Sequence, residues 1–383
     1  MIVRFEDVIT RVTGNVDRYN TDLEYYVGGD QYDSSALTIE RRGDLKKDVD
    51  LLGFKFHFPF KSGDVLLMAR NPHLRKAGQV FFDGLCSDAS YILRTKNPGV
   101  LLQDFIPILL QRDHFWDFFE SHKTGGITFL MNWGMLKTYK FDLPPIEKQR
   151  EVMEKVWAAY RLKQSYQKLI AATDEMVKSR FIEMFGQVSD IAPRYEVKKL
   201  SDCCSYISDG SHFSPAEDSS GLYPMLSVKD MTEKGFVYSD CKYISKKDFD
   251  VLVSNGCQPH LNDVLVAKDG SYFKYSFVVT EDKEQAILSS IAILRPKTDI
   301  IDPRYLAYYM LTDAVIQLVE KNYLTGTAIR RVILKGFKEI PTIIPPMALQ
   351  KSFVAVLEQA DKSKFELKQA IEKIDKVMRA LMQ

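Results

Sequence analysis

The chain has 383 residues, 45% apolar and 27% charged, and its 52 Lys plus Arg against 51 Asp plus Glu leave a formal charge of +1. That balance belongs to a globular protein with sizeable cores. It excludes a long disordered tail, a collagen-like or mucin-like segment, and a coat that grips nucleic acid through bulk charge. At roughly 150 residues per domain the length implies about two or three domains.

The first residues, Met1-Ile2-Val3-Arg4-Phe5-Glu6-Asp7, show neither the basic start nor the apolar stretch of a signal peptide. No apolar run approaches the ~18 residues that span a bilayer. Cys86, Cys203, Cys204, Cys241 and Cys257 form no CxxC pair and have no histidine cluster beside them. They suit neither a disulfide framework nor a structural zinc site, so a reduced, cytosolic protein is expected.

Further along, Asp64-Val65-Leu66-Leu67-Met68-Ala69 reads as a strand entered from a turn, and 103–121 reads as a helix carrying Phe105, Leu109, Phe115 and Phe118. After Pro144-Pro145 the spacing predicts a helix from Ile146 to Phe185, stopped at Gly186, which can supply a left-handed cap. Then the pattern starts again. Gly63-Asp64-Val65-Leu66 returns as Asn262-Asp263-Val264-Leu265, an offset of 199, and Ile92-Leu93-Arg94 as Ile293-Leu294-Arg295, an offset of 201. Thr124-Gly125 matches Thr325-Gly326, Pro144-Pro145 matches Pro345-Pro346, and Gln149 matches Gln350, all at 201. Asp263-Val264-Leu265-Val266-Ala267 is the second strand, and 303–321, with Leu306, Met310, Ile316 and Val319, the second helix.

From Met347 to Gln383 there is neither Gly nor Pro, and apolar residues recur in alternating steps of four and three: Phe353, Leu357, Ala360, Leu367, Ile371, Ile374, Met378 and Leu381, with Lys364 the polar member. Subtracting 201 gives Val152, Val156, Ala159, Lys163, Tyr166, Ile170, Thr173, Val177 and Arg180. The period of about 3.5 residues is that of a left-handed coiled-coil seam. A single stripe of this kind usually packs on its own domain. Two in register, each long enough to extend ~58 Å, are better suited to spacers that pack on each other, and such a pair must run antiparallel. The segments 1–144, 145–186, 187–345 and 346–383 are therefore expected to be globular unit, central helix, globular unit and distal helix, each globular unit α+β.

Catalytic signatures are absent: there is no GxGxxG, GxxxxGK[ST], HExxH or GxSxG. The Pro-Pro pairs follow Leu143 and Ile344, unlike the Asn/Asp-Pro-Pro-aromatic motif of amino-methyltransferases. Histidines 57, 73, 114, 122, 212 and 260 show no ligand spacing, and Asp209 and Asp269 sit beside glycines where turn formation explains them. What remains are polar loops with basic and aromatic members: 40–47, 70–76, 208–213, 268–274 and 327–331. Arg and Lys can grip phosphates, and Arg, Ser, Asn and Tyr can read base edges, although any single such residue is commonly just solvated surface.

The alternation of variable unit and Pro-Pro-x-x-x-Gln helix, twice over, resembles the specificity subunits of type I restriction-modification systems. The phrases Ile207-Ser208-Asp209-Gly210-Ser211-His212, Leu226-Ser227-Val228-Lys229-Asp230 and Leu265-Val266-Ala267-Lys268-Asp269-Gly270 resemble that family's second target-recognition domain, as does Thr325-Gly326 leading to Ile344-Pro345-Pro346. The first half is looser, with Met68-Ala69-Arg70-Asn71 standing where the second has Ala267-Lys268-Asp269-Gly270.

The resemblance implies two tandem pseudo-repeated α/β target-recognition domains separated by two long antiparallel coiled-coil helices. They would form a non-catalytic reader of a split, asymmetric site in double-stranded DNA. It implies two modification subunits that bind S-adenosylmethionine and methylate adenine, and motor-nuclease subunits that use ATP and magnesium, with no cofactor or metal on this chain. Candidate DNA contacts are Arg41, Arg42, Lys46, Lys47, Arg70, Arg75, Lys76, Ser211, His212, Lys229, Lys268, Ser271, Tyr272, Lys274, Arg330 and Arg331. Candidate coiled-coil and docking positions are Val152, Val156, Lys163, Ile170, Val177, Phe353, Leu357, Lys364, Ile371 and Met378. Two alternatives stand beside this reading: the recognition subunit of a type IIB-like enzyme, and a coiled-coil scaffold that binds proteins.

Overall fold

A computed structural model of the chain describes residues 1–121, 130–190, 193–270, 272–326 and 330–383. His122, Thr124, Gly125 and Ser271 lie outside the described residues. The chain forms two compact units, one of Met1–Leu169 with Glu366–Gln383, the other of Ile170–Phe365. Each unit thus takes part of each long helix, Ile146–Phe185 and Met347–Met382. The central helix has the predicted bounds, and Gly186 follows it at φ +75, where a side chain would be strained.

In the first unit, an antiparallel sheet has the order Ile9–Val12, Ser90–Thr95, Val65–Met68, Ala77–Gln79. A second sheet has the order Gly43–Asp44, Tyr25–Val27, Gly84–Ser87, Phe56–Phe60, with its middle pair parallel. The second unit repeats the plan. Its antiparallel sheet runs Cys204–Asp209, Ile291–Pro296, Val264–Ala267, Ser276–Val278, and Tyr223–Leu226 pairs in parallel with Ala286–Ile287 beside it.

The apolar runs in the two inner strands follow from burial on both faces. Val65 and Leu67 join the core under the helices, while Leu66 and Met68 join a separate cluster with Val27, Tyr32 and Ile92. Val264 and Val266 are likewise divided from Leu265 and Ala267. Side chains alternate along a strand, so a strand covered on both sides loses the polar alternation of a half-exposed one. Each inner strand is entered at a buried aspartate gripped by the arginine opposite it on the neighbouring strand: Asp64 by Arg94, and Asp263 by Arg295 Nε at 2.8 Å. In both cases the hydrogen bond to the carboxylate holds the guanidinium above its ordinary pKa.

The two helices expected at 103–121 and 303–321 are each broken. The first region is Gln103–Phe105, Ile106–Leu110 and Asp113–Ser121; the second is Pro303–Met310 and Asp313–Asn322. Thr312 sits extended at ψ 140 and turns its hydroxyl back to Tyr309 O at 2.8 Å, which ends one helix before Asp313 starts the next. The apolar period ran through the breaks because both pieces face one core.

Within the first unit, Val156, Tyr160 and Met378 share the core, and Lys163 Nζ meets Asp375 Oδ1 at 2.6 Å. Within the second, Phe181 packs on Phe353 at 5.2 Å between ring centroids, and Lys364 Nζ meets Asp174 Oδ1 at 2.9 Å. The helix segments in each unit therefore run antiparallel, and the lysine that interrupts each stripe is one half of an ion pair. Val152 and Leu357 pack at the edges of these cores, Val177 lies within the second, and Ile170 and Ile371 are half-buried.

Each Pro-Pro-x-x-x-Gln start has one physical job. Gln149 Nε2 donates to Val100 O and Pro144 O at 2.8 and 2.9 Å, and its Oε1 accepts from Leu102 N at 3.0 Å. Gln350 makes the same three bonds, to Ile300 O, Pro345 O and Asp302 N. Both glutamines are 0% exposed. Gln350→Ala should lower unfolding free energy by about 3 kcal/mol in urea titrations, because it strands two carbonyls and an N–H. Gln350→Glu should cost nearly as much, since it keeps the shape but loses the donor. A change under ~1 kcal/mol in both would show that the bonds contribute little.

Candidate nucleic-acid interface

In the second unit, two loops leave the same end of the main sheet, and a third, between the paired strands Leu324–Thr325 and Arg331–Val332, is tied to them. Asp209 and Ala267, the last residues of their strands, pair with Ala292 and Ile291 at the start of the strand between them. The 210–213 loop is fixed by backbone bonds from Ser211 N to Ile287 O at 2.8 Å and from Ser289 N to Ser211 O at 2.9 Å. Gly210 is required there, because a Cβ would collide with the Ile287 carbonyl. The next loop turns through Gly270 at φ +66 and Phe273 at φ +53, the latter held by stacking of its ring on Phe337 at 5.3 Å. The third loop joins it through Gly270 N to Arg330 O at 3.0 Å and Val332 N to Lys268 O at 3.3 Å.

Beneath these loops lies a buried ionic cluster. Lys268, its side chain 4% exposed, holds Asp209 Oδ2 at 3.2 Å and Asp269 Oδ1 at 3.3 Å, and His212 Nε2 reaches the same Asp209 oxygen at 3.4 Å. An ammonium this deep is stabilised by its carboxylates and shapes the loops rather than meeting solvent. Lys268 and Ser211, expected among the DNA contacts, are therefore placed below the surface as loop supports. Tyr272 is half-buried and donates to Glu320 at 3.0 Å. His212, Lys274, Arg330 and Arg331 are exposed on these loops, while Lys229, in the 228–230 turn, is exposed and donates to Asp240 O at 3.3 Å.

The first unit keeps the backbone of this arrangement and changes its chemistry. Asn71 takes φ +52 where Gly270 takes φ +66, a conformation Asn tolerates better than most side chains. Met131 N bonds Ala69 O at 2.7 Å, as Val332 bonds Lys268. Yet Ala69 stands where Lys268 stands, so the ionic cluster has no counterpart there. Arg75 pairs with Asp113 at 2.5 Å, Lys76 donates to Gly29 O at 2.7 Å, and Arg41 pairs with Asp33 at 2.7 Å. These three are engaged by the protein itself. Arg42 lies 3.9 Å over the ring of Tyr25, while Lys46, Lys47 and Arg70 are exposed. Arg11, stacked 4.6 Å over Tyr91, and the exposed rings of Phe54 and Phe81 are not among the candidate DNA contacts, and neither is Phe213, although its loop 208–213 is. The signal was there for Phe213, an aromatic in the polar run Ser211-His212-Phe213-Ser214.

Burial pushes the thiols of Cys86 and Cys204 up to about 12 and that of Cys203 up to about 11. Thiolate chemistry at neutral pH does not suit them. Among the described residues, no group of three or more His, Cys, Asp or Glu could hold a metal ion, and no helix is long and apolar enough to cross a membrane.

The family profile described as "Type I restriction modification DNA specificity domain" matches residues 194–376, which contain all three loops. The type I restriction enzyme MjaVIII specificity subunit of Methanocaldococcus jannaschii is 26% identical over 210 residues, 54% of this chain. Residues 194–376 thus resemble a type I restriction-modification DNA specificity domain. The match spans 44% of that relative's length. Two solved structures share the fold of this chain. A chain from a study of complex assembly and conformational transition in a type I R-M system covers 100% of it with TM-score 0.57 and 17% identity, and 96% of that chain is covered. The S subunit of a type I system from M. genitalium also covers 100%, with TM-score 0.54, 10% identity and 94% of that chain covered.

Lys268→Met should destabilise the protein by roughly 3 kcal/mol, because two carboxylates lose their counter-charge in a poorly solvated place. Adding Asp209→Asn and Asp269→Asn should restore most of the loss in the same denaturant titration. Additive losses instead of recovery would mean that the cluster is not electrostatically coupled.

Proposed function

We propose that the chain is a non-catalytic reader of a split, asymmetric site in double-stranded DNA, one half recognised by each unit. The observation that carries this is the set of three tied loops in the second unit, which set exposed His212, Lys274, Arg330 and Arg331 above a rigid ionic base. Exposed cations on a fixed frame suit phosphate contacts, and a frame is what base reading requires. The first unit has the same frame with different loop chemistry, which favours two unlike half-sites over a palindrome.

The long helices set the gap between the half-sites and dock two modification subunits. Supporting this, the seam residues are spent on packing inside each unit, while Leu162, Leu169, Met176 and Ile182 of the central helix keep their apolar side chains exposed. The modification subunits bring S-adenosylmethionine and methylate adenine; motor-nuclease subunits bring ATP and magnesium for cleavage. The whole complex works on DNA in the cytoplasm. A chain of charge +1 gains much of its phosphate grip from those partners.

Gel shifts with the isolated chain should show weak binding with little sequence preference. With the modification subunit, preference for the cognate site should reach about a thousandfold or more and weaken steeply with salt. Equal affinity and specificity without the partner would contradict this. In a second test, removing one heptad from each helix at matched positions, 166–172 and 367–373, shortens each by ~10.5 Å, about three base-pair steps. Mapping methylated adenines should then return the same half-sites with a shorter gap; an unchanged motif would end the ruler role.

A further inference from the structure

We propose that Phe213 is an apolar base reader in the second unit, making contact with the C5-methyl group of a thymine in the half-site that unit recognises. The inference rests on the DNA-reading role proposed above. The ring is 69% exposed, yet its backbone is held from both sides. On one side, buried Ser211 accepts a hydrogen bond at its Oγ from Phe213 N at 3.0 Å and donates from it to Phe213 O at 2.6 Å. Ser211 itself is clamped by main-chain bonds to Ile287 and Ser289. On the other side, Lys242 Nζ donates to Ser214 Oγ at 2.9 Å and to Pro215 O, and Pro215 is buried. Three residues, His212, Phe213 and Ser214, are thus held out between two fixed points.

A folded protein gains nothing by fixing a phenyl ring in water, since burial is what an aromatic side chain supplies. The surroundings say what covers it. His212 precedes it, the 268–274 loop with Lys274 leaves the same sheet end and is joined to its loop through Lys268 and Asp209, and Arg330 and Arg331 are tied to that second loop by main-chain bonds. The two carboxylates beneath the loops, Asp209 and Asp269, are held by Lys268. An apolar ring on a loop tied to cation-bearing loops matches a DNA groove, where phosphates flank base edges and the thymine methyl is the apolar group on offer. Rigidity matters because discrimination by one methyl is lost when the ring can swing away.

The test uses the full chain assembled with its modification subunit and duplex oligonucleotides bearing the site found by mapping methylated adenines. Replacing single thymines with uracil removes the methyl and leaves every hydrogen bond. One such change in the second unit's half-site should weaken the wild-type complex about fourfold to tenfold. Phe213→Ala should bind the thymine and uracil duplexes equally, both at the weakened level, with the other half-site read as before. Phe213→Leu should retain part of the thymine preference. If Phe213→Ala binds as the wild type does, or if every uracil penalty is the same in both proteins, the proposal is overturned. A wild-type complex with no sequence preference at all would instead overturn the DNA-reading role beneath it.

Discussion

One buried glutamine at the start of each long helix holds that helix to the globular part of its unit, and the rest of the architecture depends on the rigidity this gives. Gln149 and Gln350 each satisfy a main-chain donor and acceptors that would be stranded where the chain turns into the helix. The paired prolines ahead of them remove N–H groups that would have no partner and fix the entry angle. The two devices are complementary: proline sets the direction, and glutamine fastens it. A spacer that swivelled at its root could not hold a recognition surface in place.

The second constraint is the seam. Its apolar members supply most of the packing, but they would tolerate sliding, because a Leu or Val stripe looks much the same one heptad along. Lys163 with Asp375, and Lys364 with Asp174, remove that freedom. The pairs are reciprocal under the repeat, since 163 and 364 differ by 201, as do 174 and 375. Half-buried pairs of this kind add little stability, and their use is to name one register.

The two units show how a shared frame accommodates unlike chemistry. Strand order, the aspartate–arginine clamp and the left-handed loop position recur in both. The residue at the root of the loop does not: Lys268 draws two carboxylates under the second unit's loops, and Ala69 draws none. Core positions are bound by close packing, so they recur. Loop positions are bound only by what they touch, so they are free to diverge.

Much of this was legible in the chain itself. The repeat, the two strands at 65 and 264, the central helix with its glycine stop and the antiparallel seam are set by local periodicity and punctuation, which act over a few residues. The broken helices at 111–112 and 311–312 were not, because both pieces face one core and the period runs on. Nor could the loops be sorted. Lys268, Lys274, Arg75 and Arg70 are alike as letters, yet Lys268 is buried under its own loops, Arg75 is held by Asp113, and Lys274 and Arg70 face solvent. The sequence by itself determined two units, two helices and their pairing, since each follows from a pattern of apolar residues. Only the tertiary structure decided which cations and which ring are presented outward, because that depends on carboxylates and carbonyls brought from tens of residues away.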